Sequence, residues 1–504
     1  MLRTRFISGA TNTSGQGIQW LGRHHPSTGS SDIIVYSCAN LLLVVSMEEG
    51  GGGSRVLCSL RAHTLRVNCT AKLVTSSRWL IVTGGEDGLV NVWRHNAFTS
   101  QPEEWSLLSS LPTETSIQLA AIVQCVSGTL ICASDATGSI HSFFSHKDND
   151  DDDTFSPISS LVLSSAQTPN ALHLMTFDTA SNAQNDSAVI LLVGGVDGNI
   201  HVFVNTLDLL GKKGESFLRV GLLSGHEDWI SCLNSRILSS SGGRKTANIV
   251  SGSQDAKIRL WRMEAVNSDE GEEIPYAVVP AEVFNVLEDE GNADEAEEED
   301  EEEEKAAAGP MRSESDSNDA RLTFKLQGFR YSIFLEALLV GHEDWITSLH
   351  WLASYPSPDT PSTPPIFSTS MDRNMIIWLP DPLSGIWVPI ARIGDVGGTL
   401  GGSVGGNLLG FVGGAVSPTE SSVIGVGYGG SFHHWSLLSN TSGSTASRWT
   451  SRAFLSGHFR SVSDLAWAAS GEYLVTSSLD QTCRLFLESA EGLWFELSRP
   501  QIHG

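Results

Sequence analysis

The sequence predicts an all-β chain of repeated antiparallel meanders, and three observations carry that prediction. The hexapeptide GHEDWI occurs at 225–230 and again at 341–346. Downstream of each copy an Asp precedes an aromatic residue by six positions, with a hydroxyl residue four before the Asp. Between such patterns nothing has the length and 3.6-residue period of a sustained helix. The full pattern occurs four times: Thr83, Asp87 and Trp93; Ser251, Asp255 and Trp261; Ser368, Asp372 and Trp378; Thr476, Asp480 and Phe486. An upstream His (His63, His226, His342, His458) precedes the Asp by 22 to 30 residues. Rigid spacing on one side and elastic spacing on the other implies strand, tight turn, strand, with only a surface loop varying.

Taken along the chain, the first unit is degenerate, 17–45, where GIQWLG and DIIVYSCANLLLVV supply apolar runs of strand length. The second runs from His63 to Trp93, and LVNVW in it alternates as a half-buried strand should. Segment 129–143 is weaker, with Thr137 in the Asp slot, and 189–203 keeps Asp197 but has Val193 for the hydroxyl. The two GHEDWI units follow, ending at Trp261 and Trp378. Segment 422–435 keeps Trp435 but puts Gly429 in the Asp slot, and the last unit spans His458 to Phe486. Four-stranded units repeating in this way, each offering an apolar face to the next, predict a β-propeller.

Eight units exceed by one the seven-bladed ring that a resemblance to the WD-repeat family, drawn below, implies. The expected domains are therefore a seven-bladed propeller over 17–440 and, over 450–504, the first blade of an incomplete second propeller, as in a truncated chain; a single eight-bladed ring is the rival. Two segments read as insertions: 264–327, acidic and poor in aromatics, and 394–414, with ten glycines. A phosphate-binding loop needs G-x-x-x-x-G-K-[S/T] leading into a helix, and no Lys lies in 394–414.

The formal charge is −27, of which 13 acidic residues fall in 288–304 and 5 in 148–153. These runs read as solvated loops, and the remaining −9 is an ordinary acidic body. Lys212-Lys213 and Arg244-Lys245 are isolated pairs, so no basic cluster exists to neutralise a phosphate backbone. The seven Cys form no C-x-x-C pair, and the longest apolar stretch, around 41–45, is far too short to span a bilayer. A reducing, cytoplasmic setting is expected, with the nucleus as a second one, and no membrane.

Catalytic and metal readings fail on residue types. In HEDWI the position that would carry the second imidazole of H-E-x-x-H is Ile230 or Ile346. His433 and His434 are neighbours in a strand and point to opposite faces. No nucleophile elbow, acid/base carboxylate pair or ligand cluster is present, so neither enzyme activity, nor a metal, nor a cofactor is expected.

Gly-His, the Asp turn and the closing Trp resemble the WD-repeat family. The resemblance implies buried structural tetrads: His63–Thr83–Asp87–Trp93, His226–Ser251–Asp255–Trp261 and His342–Ser368–Asp372–Trp378. In each, a carboxylate accepts from His, a hydroxyl bridges, and the indole N–H closes the chain. With Phe486, the last unit lacks that final donor. The doubled GHEDWI, the acidic insertion between its copies and the RPQIHG ending are similar to the second-subunit family of the Elongator complex, whose members carry two seven-bladed propellers. That resemblance implies a non-catalytic scaffold joining the catalytic and largest subunits for wobble-uridine modification of tRNA, with no direct tRNA contact of its own. A generic adaptor, such as a ubiquitin-ligase substrate receptor, is the alternative, although Trp93-Arg94 and Trp261-Arg262 lack its W-D-x-R. Asp228, Trp229, Asp344 and Trp345, in the loops entering two units, are the candidate partner-binding residues.

Overall fold

The computed structural model describes residues 16–23, 31–48, 54–96, 104–146, 154–163, 168–178, 187–206, 217–238, 246–266, 321–326, 329–352, 364–394, 410–427, 432–438, 448–451, 458, 462–470, 472–488 and 494–498. Among them the regular structure is entirely β, in eight antiparallel sheets. Among the described residues no helix is long and apolar enough to cross a membrane.

The first sheet is β1 (Ile18–Arg23), β2 (Ser31–Cys38), β3 (Leu41–Glu48) and β4 (Ser54–Arg61). The second is β5 (Val67–Val74), β6 (Arg78–Gly85), β7 (Leu89–Asn96) and β8 (Trp105–Pro112). The third is β9 (Ile117–Gln124), β10 (Gly128–Asp135), β11 (Ile140–His146) and β12 (Ser156–Leu161). The fourth is β13 (Pro169–Asp178), β14 (Ser187–Gly195), β15 (Ile200–Thr206) and β16 (Leu218–Leu223). The fifth joins β17 (Ile230–Leu238), β18 (Thr246–Ser253) and β19 (Lys257–Val266) to β21 (Phe329–Val340), with β20 (Leu322–Leu326) as an extra outer strand. The sixth is β22 (Ile346–Trp351), β23 (Ile366–Ser370), β24 (Asn374–Pro380) and β25 (Trp387–Gly394). The seventh is β26 (Phe411–Val416), β27 (Ser422–Gly427), β28 (Phe432–Leu438) and β29 (Arg448–Ser451). The eighth is β30 (Val462–Trp467), β31 (Tyr473–Ser478), β32 (Cys483–Glu488) and β33 (Trp494–Ser498).

Packing explains the composition of these strands. In the first seven units the second strand is covered on both faces by neighbouring sheets, so WLIVTGG and AVILLVGG are continuously apolar instead of alternating. Apolar clusters fill the junctions between consecutive sheets. Val44, Ile81 and Trp93 join the first to the second, and Val90, Ile117 and Phe143 the second to the third. Phe144 and Phe203 join the third to the fourth, and Ile190 and Trp261 the fourth to the fifth. Ile258 and Trp378 join the fifth to the sixth, and Phe367 and Phe411 the sixth to the seventh. A last cluster brings Tyr36 of β2 against Phe432 of β28, rings 4.6 Å apart, and returns the seventh sheet to the first. The first strands follow the same cycle: β1 touches β5 and β26, and each of the others touches the next. The eighth sheet contributes to none of these clusters, and β30 is exposed along its whole length.

Two local devices set how the sheets stack. In β5, β17 and β22 a bulge follows the first residue, and that residue packs on the preceding sheet's second strand. Ile230 lies so close to Gly194, and Ile346 to Gly252, that an added Cβ would approach within 2.5 and 2.6 Å. Glycine there is the absence of a side chain that the next sheet needs. The second device is a polar girdle. Each first strand pairs on one edge only, which leaves bare carbonyls on the other. Side chains of the preceding sheet's first strand donate to them: Gln19 to Thr70 O, Asn68 to Ile117 O, Asn170 to Ile230 O, Asn234 to Leu349 O, Arg236 to Leu352 O, and His350 to Gly414 O.

Several edges differ from the sequence expectation. The boundary expected between 440 and 450 runs through the seventh sheet, whose outer strand is Arg448–Ser451. The cause is an offset: a unit's fourth strand is written in the sequence just before the next unit's His. Both ends of the expected insertion 264–327 are paired, in β19 and β20, and both ends of 394–414 are strand residues of β25 and β26. The acidic runs 288–304 and 148–153, the glycines between 395 and 409, Gly429, the basic pairs 212–213 and 244–245, and the RPQIHG ending lie outside the described residues.

Candidate functional site

The four strong units each bring a loop His, a second-strand hydroxyl and a turn Asp into one chain of hydrogen bonds. His63 Nδ1 is 2.8 Å from Asp87, its Nε2 2.9 Å from Thr83 Oγ1, and the Trp93 indole donates to Thr83 at 3.3 Å. His226 is 2.9 Å from Asp255 and 2.8 Å from Ser251, which accepts from Trp261 at 3.0 Å. His342 is 2.7 Å from Asp372 and 2.8 Å from Ser368, which accepts from Trp378 at 2.8 Å. With neutral imidazoles, one set of protons satisfies this geometry. The indole donates to the hydroxyl, the hydroxyl to Nε2, and Nδ1–H to the carboxylate, so every buried polar group is satisfied.

In the last unit His458 is 2.9 Å from Asp480 and 2.7 Å from Thr476, but Phe486 supplies no donor. The fully buried Arg484 sits nearby, bound to Glu496 at 2.6 Å.

The charges follow from this wiring. Burial pulls the His63 and His458 imidazoles below their ordinary value in spite of the adjacent carboxylates, so they are neutral at pH 7. Burial alone would raise the Asp255 carboxyl. The His226 bond and charge, with the backbone N–H groups of Glu227 and Lys257, outweigh it and hold Asp255 at about 2. Asp87, Asp372 and Asp480 are lowered by the same balance. Carboxylates held ionised and hydrogen-bonded inside the core in this way act as structural groups.

Two further His–Asp pairs were not legible as tetrad members. In the third sheet Thr137 does not take the carboxylate's place. Asp135 does, accepting from Thr137 and lying 2.9 Å from His141 Nε2. In the fourth sheet Asp197 is 3.0 Å from His201 Nε2, and Arg219 donates to His201 Nδ1 at 2.9 Å. Here the imidazole comes from the third strand instead of the entry loop. The signal was present: His141 and His201 both follow an Ile and stand two before a Phe.

The GHEDWI loops are superimposable in their bonding. Glu227 N–H donates to Asp255 and Glu343 N–H to Asp372, each at the carboxylate oxygen that also faces the His. Asp228 accepts from the Trp229 N–H at 2.7 Å, and Asp344 from the Trp345 N–H at 2.8 Å. The loop carbonyls of Asp228 and Asp344 accept from Ser253 and Ser370. Both loops are thus rigid, yet Trp229 is 47 % exposed and Trp345 48 %. Because β17 and β22 are neighbours, the two indoles and their carboxylates stand at the same end of adjacent sheets. The His63 loop offers no equivalent, having Leu65-Arg66 in place of Asp-Trp. Among the described residues no group of three or more His, Cys, Asp or Glu is arranged to hold a metal ion.

Comparison with known proteins agrees with this geometry. The WD40 family (WD domain, G-beta repeat) matches at 54–94, 217–262, 335–378 and 449–486. Each match begins in the outer strand of one sheet and ends in the third strand of the next, which is the offset described above. Elongator complex protein 2 of Arabidopsis thaliana is 27 % identical over 535 residues, covering 99 % of this chain and 54 % of its own length. The Danio rerio protein of that name is 27 % identical over 523 residues, covering 100 % of this chain and 51 % of its own. The Homo sapiens protein is 29 % identical over 334 residues, covering 64 % and 32 %. The chain spans about half the length of the curated relatives it matches across its whole extent.

Proposed function

We propose that this WD40-repeat chain is a non-catalytic scaffold subunit of the Elongator complex, holding its catalytic and largest subunits together for wobble-uridine modification of tRNA. The carrying observation is that relatives from a plant and a fish, both named for that complex, align with nearly the whole chain. Seven sheets in this reading form one propeller, and the eighth begins a separate unit. Support comes from the cycle of junctions, which closes between the seventh and first sheets. The rim formed by Asp228, Trp229, Asp344 and Trp345 serves as a subunit-docking surface, since rigid, half-exposed tryptophans flanked by carboxylates provide anchor area at low entropic cost. A net charge of −27 keeps tRNA contact on other subunits. The setting is cytoplasmic, with a nuclear pool.

Affinity purification of the tagged chain from its own cells tests the reading. Co-purification of Elongator's catalytic and largest subunits is expected. Recovery of neither, with the chain intact and soluble, refutes it.

A further inference from the structure

The two GHEDWI loops form one ledge. Ser231, two residues past Trp229, donates to the carbonyl of Ile346, next to Trp345. The carbonyls of Trp229 and Trp345 themselves accept from the N–H groups of Gln254 and Met371, each at 2.9 Å. On this tied backbone the half-exposed indoles stand beside four exposed carboxylates: Glu227, Asp228, Glu343 and Asp344. Among the described residues only Glu227 of the four meets a cation, Lys257 at 2.7 Å. In the next unit Asn374 holds the corresponding place, two residues past the turn Asp, so Glu343 has no such partner. Asp228 and Asp344 each commit one oxygen to the Trp N–H that follows, and no described cation pairs with either.

We propose that this ledge binds an arginine-bearing segment of a partner protein, with one guanidinium at each pair of Trp and Asp. The inference rests on the docking-surface reading above and gives the partner a chemistry. A purely apolar partner would cover the indoles but also take Asp228, Glu343 and Asp344 out of water, a cost that nothing on its side offsets. A cation removes that cost. Lysine is the poorer choice, because its ammonium is a compact, strongly hydrated charge that cannot fork onto a carboxylate. A guanidinium is planar and more weakly hydrated: its face stacks on an indole while its edge donates two N–H bonds to the neighbouring carboxylate. The bonded loops favour this, since the backbone under each Trp and Asp is already ordered before the partner arrives. Repetition of the same groups on adjacent sheets suits two arginines on one segment, where binding of the first raises the effective concentration of the second.

Titration of the full chain with a fluorescently labelled peptide of alternating Arg and Gly, and with its Lys counterpart, tests the ledge by anisotropy. At about 0.15 M salt, long-range attraction to the acidic runs 148–153 and 288–304 is largely screened. Saturable binding of the Arg peptide is expected, at least tenfold tighter than that of the Lys peptide. The acidic runs contain no aromatic residue, so the double variant Trp229→Ala, Trp345→Ala, whose net charge is unchanged, should bind the Arg peptide at least tenfold more weakly. On the unaltered chain the Arg peptide should also protect Trp229 and Trp345 from hydroxyl-radical oxidation, read by mass spectrometry, which covers the case of a variant that fails to fold. Equal affinity for the two peptides, undiminished binding by the folded double variant, or unprotected tryptophans overturns the proposal. The chain is titrated alone, so failed co-purification would sink the Elongator assignment without touching this result, and co-purification without the Arg preference would sink this inference alone.

Discussion

Ser368→Ala removes one oxygen and disturbs two buried groups. The Ser368 hydroxyl is fully buried, donates to His342 at 2.8 Å and accepts from the Trp378 indole at 2.8 Å. Deleting it strands the imidazole Nε2 and the indole N–H together, and each stranded group costs about 1–3 kcal/mol, so about 3 kcal/mol is expected. At 1.4 kcal/mol per tenfold, that is roughly a hundredfold faster hydrogen exchange of the β23 and β24 amides, if they exchange through opening of their sheet. Exchange read by mass spectrometry is the assay, because stacked units need not unfold as one. Trp378→Phe supplies the control. Once the indole N–H is gone, the added cost of Ser368→Ala should fall by about half. Thr476→Ala should likewise cost about half as much as Ser368→Ala, since Phe486 leaves only His458 to strand. Exchange in Ser368→Ala within threefold of wild type, or an unchanged cost in the Trp378→Phe background, would refute the tetrad argument.

Two more outcomes follow from the same units. Ala256, next to Asp255 in the turn, has φ +62°, a left-handed conformation that costs an L-residue roughly 1 kcal/mol; Ala256→Gly should stabilise by about that amount in urea unfolding, and a loss would count against it. Asp255, held at about 2 against 3.8, contributes about 2 kcal/mol that is fully present above pH 3.8 and disappears as pH falls toward 2; the stability gap between wild type and Asp255→Asn should therefore narrow over that interval, and a constant gap from pH 6 to 2 would sink the idea.

What could be read in the sequence follows from where the partners sit. The tetrads were legible because His, hydroxyl, Asp and Trp fall within one unit, with the Asp-to-Trp distance held by a short turn. Asp135–His141 and Asp197–His201 escaped because their imidazole moves to the third strand, a position the His-before-strand pattern does not cover. The girdle left no spacing to detect. Asn234 meets Leu349 across 115 positions, and only closure of consecutive sheets makes them neighbours. The edge at 440–450 was misplaced because Arg448–Ser451 completes the sheet before it, although it opens the sequence match that follows. Trp229 and Trp345 could be placed at a strand entry from sequence; that they are half-exposed needed the packing of the neighbouring sheets.

The proposed docking rim is most directly tested by reversing its charge. The double variant Asp228→Lys, Asp344→Lys leaves both His–Asp–hydroxyl–Trp chains intact, and its far-UV circular dichroism and unfolding temperature should match wild type. Retention of Elongator's catalytic and largest subunits by the tagged double variant, quantified against wild type in parallel purifications, should drop at least tenfold. Undiminished retention by a folded double variant would contradict the proposal that Asp228, Trp229, Asp344 and Trp345 form a subunit-docking surface.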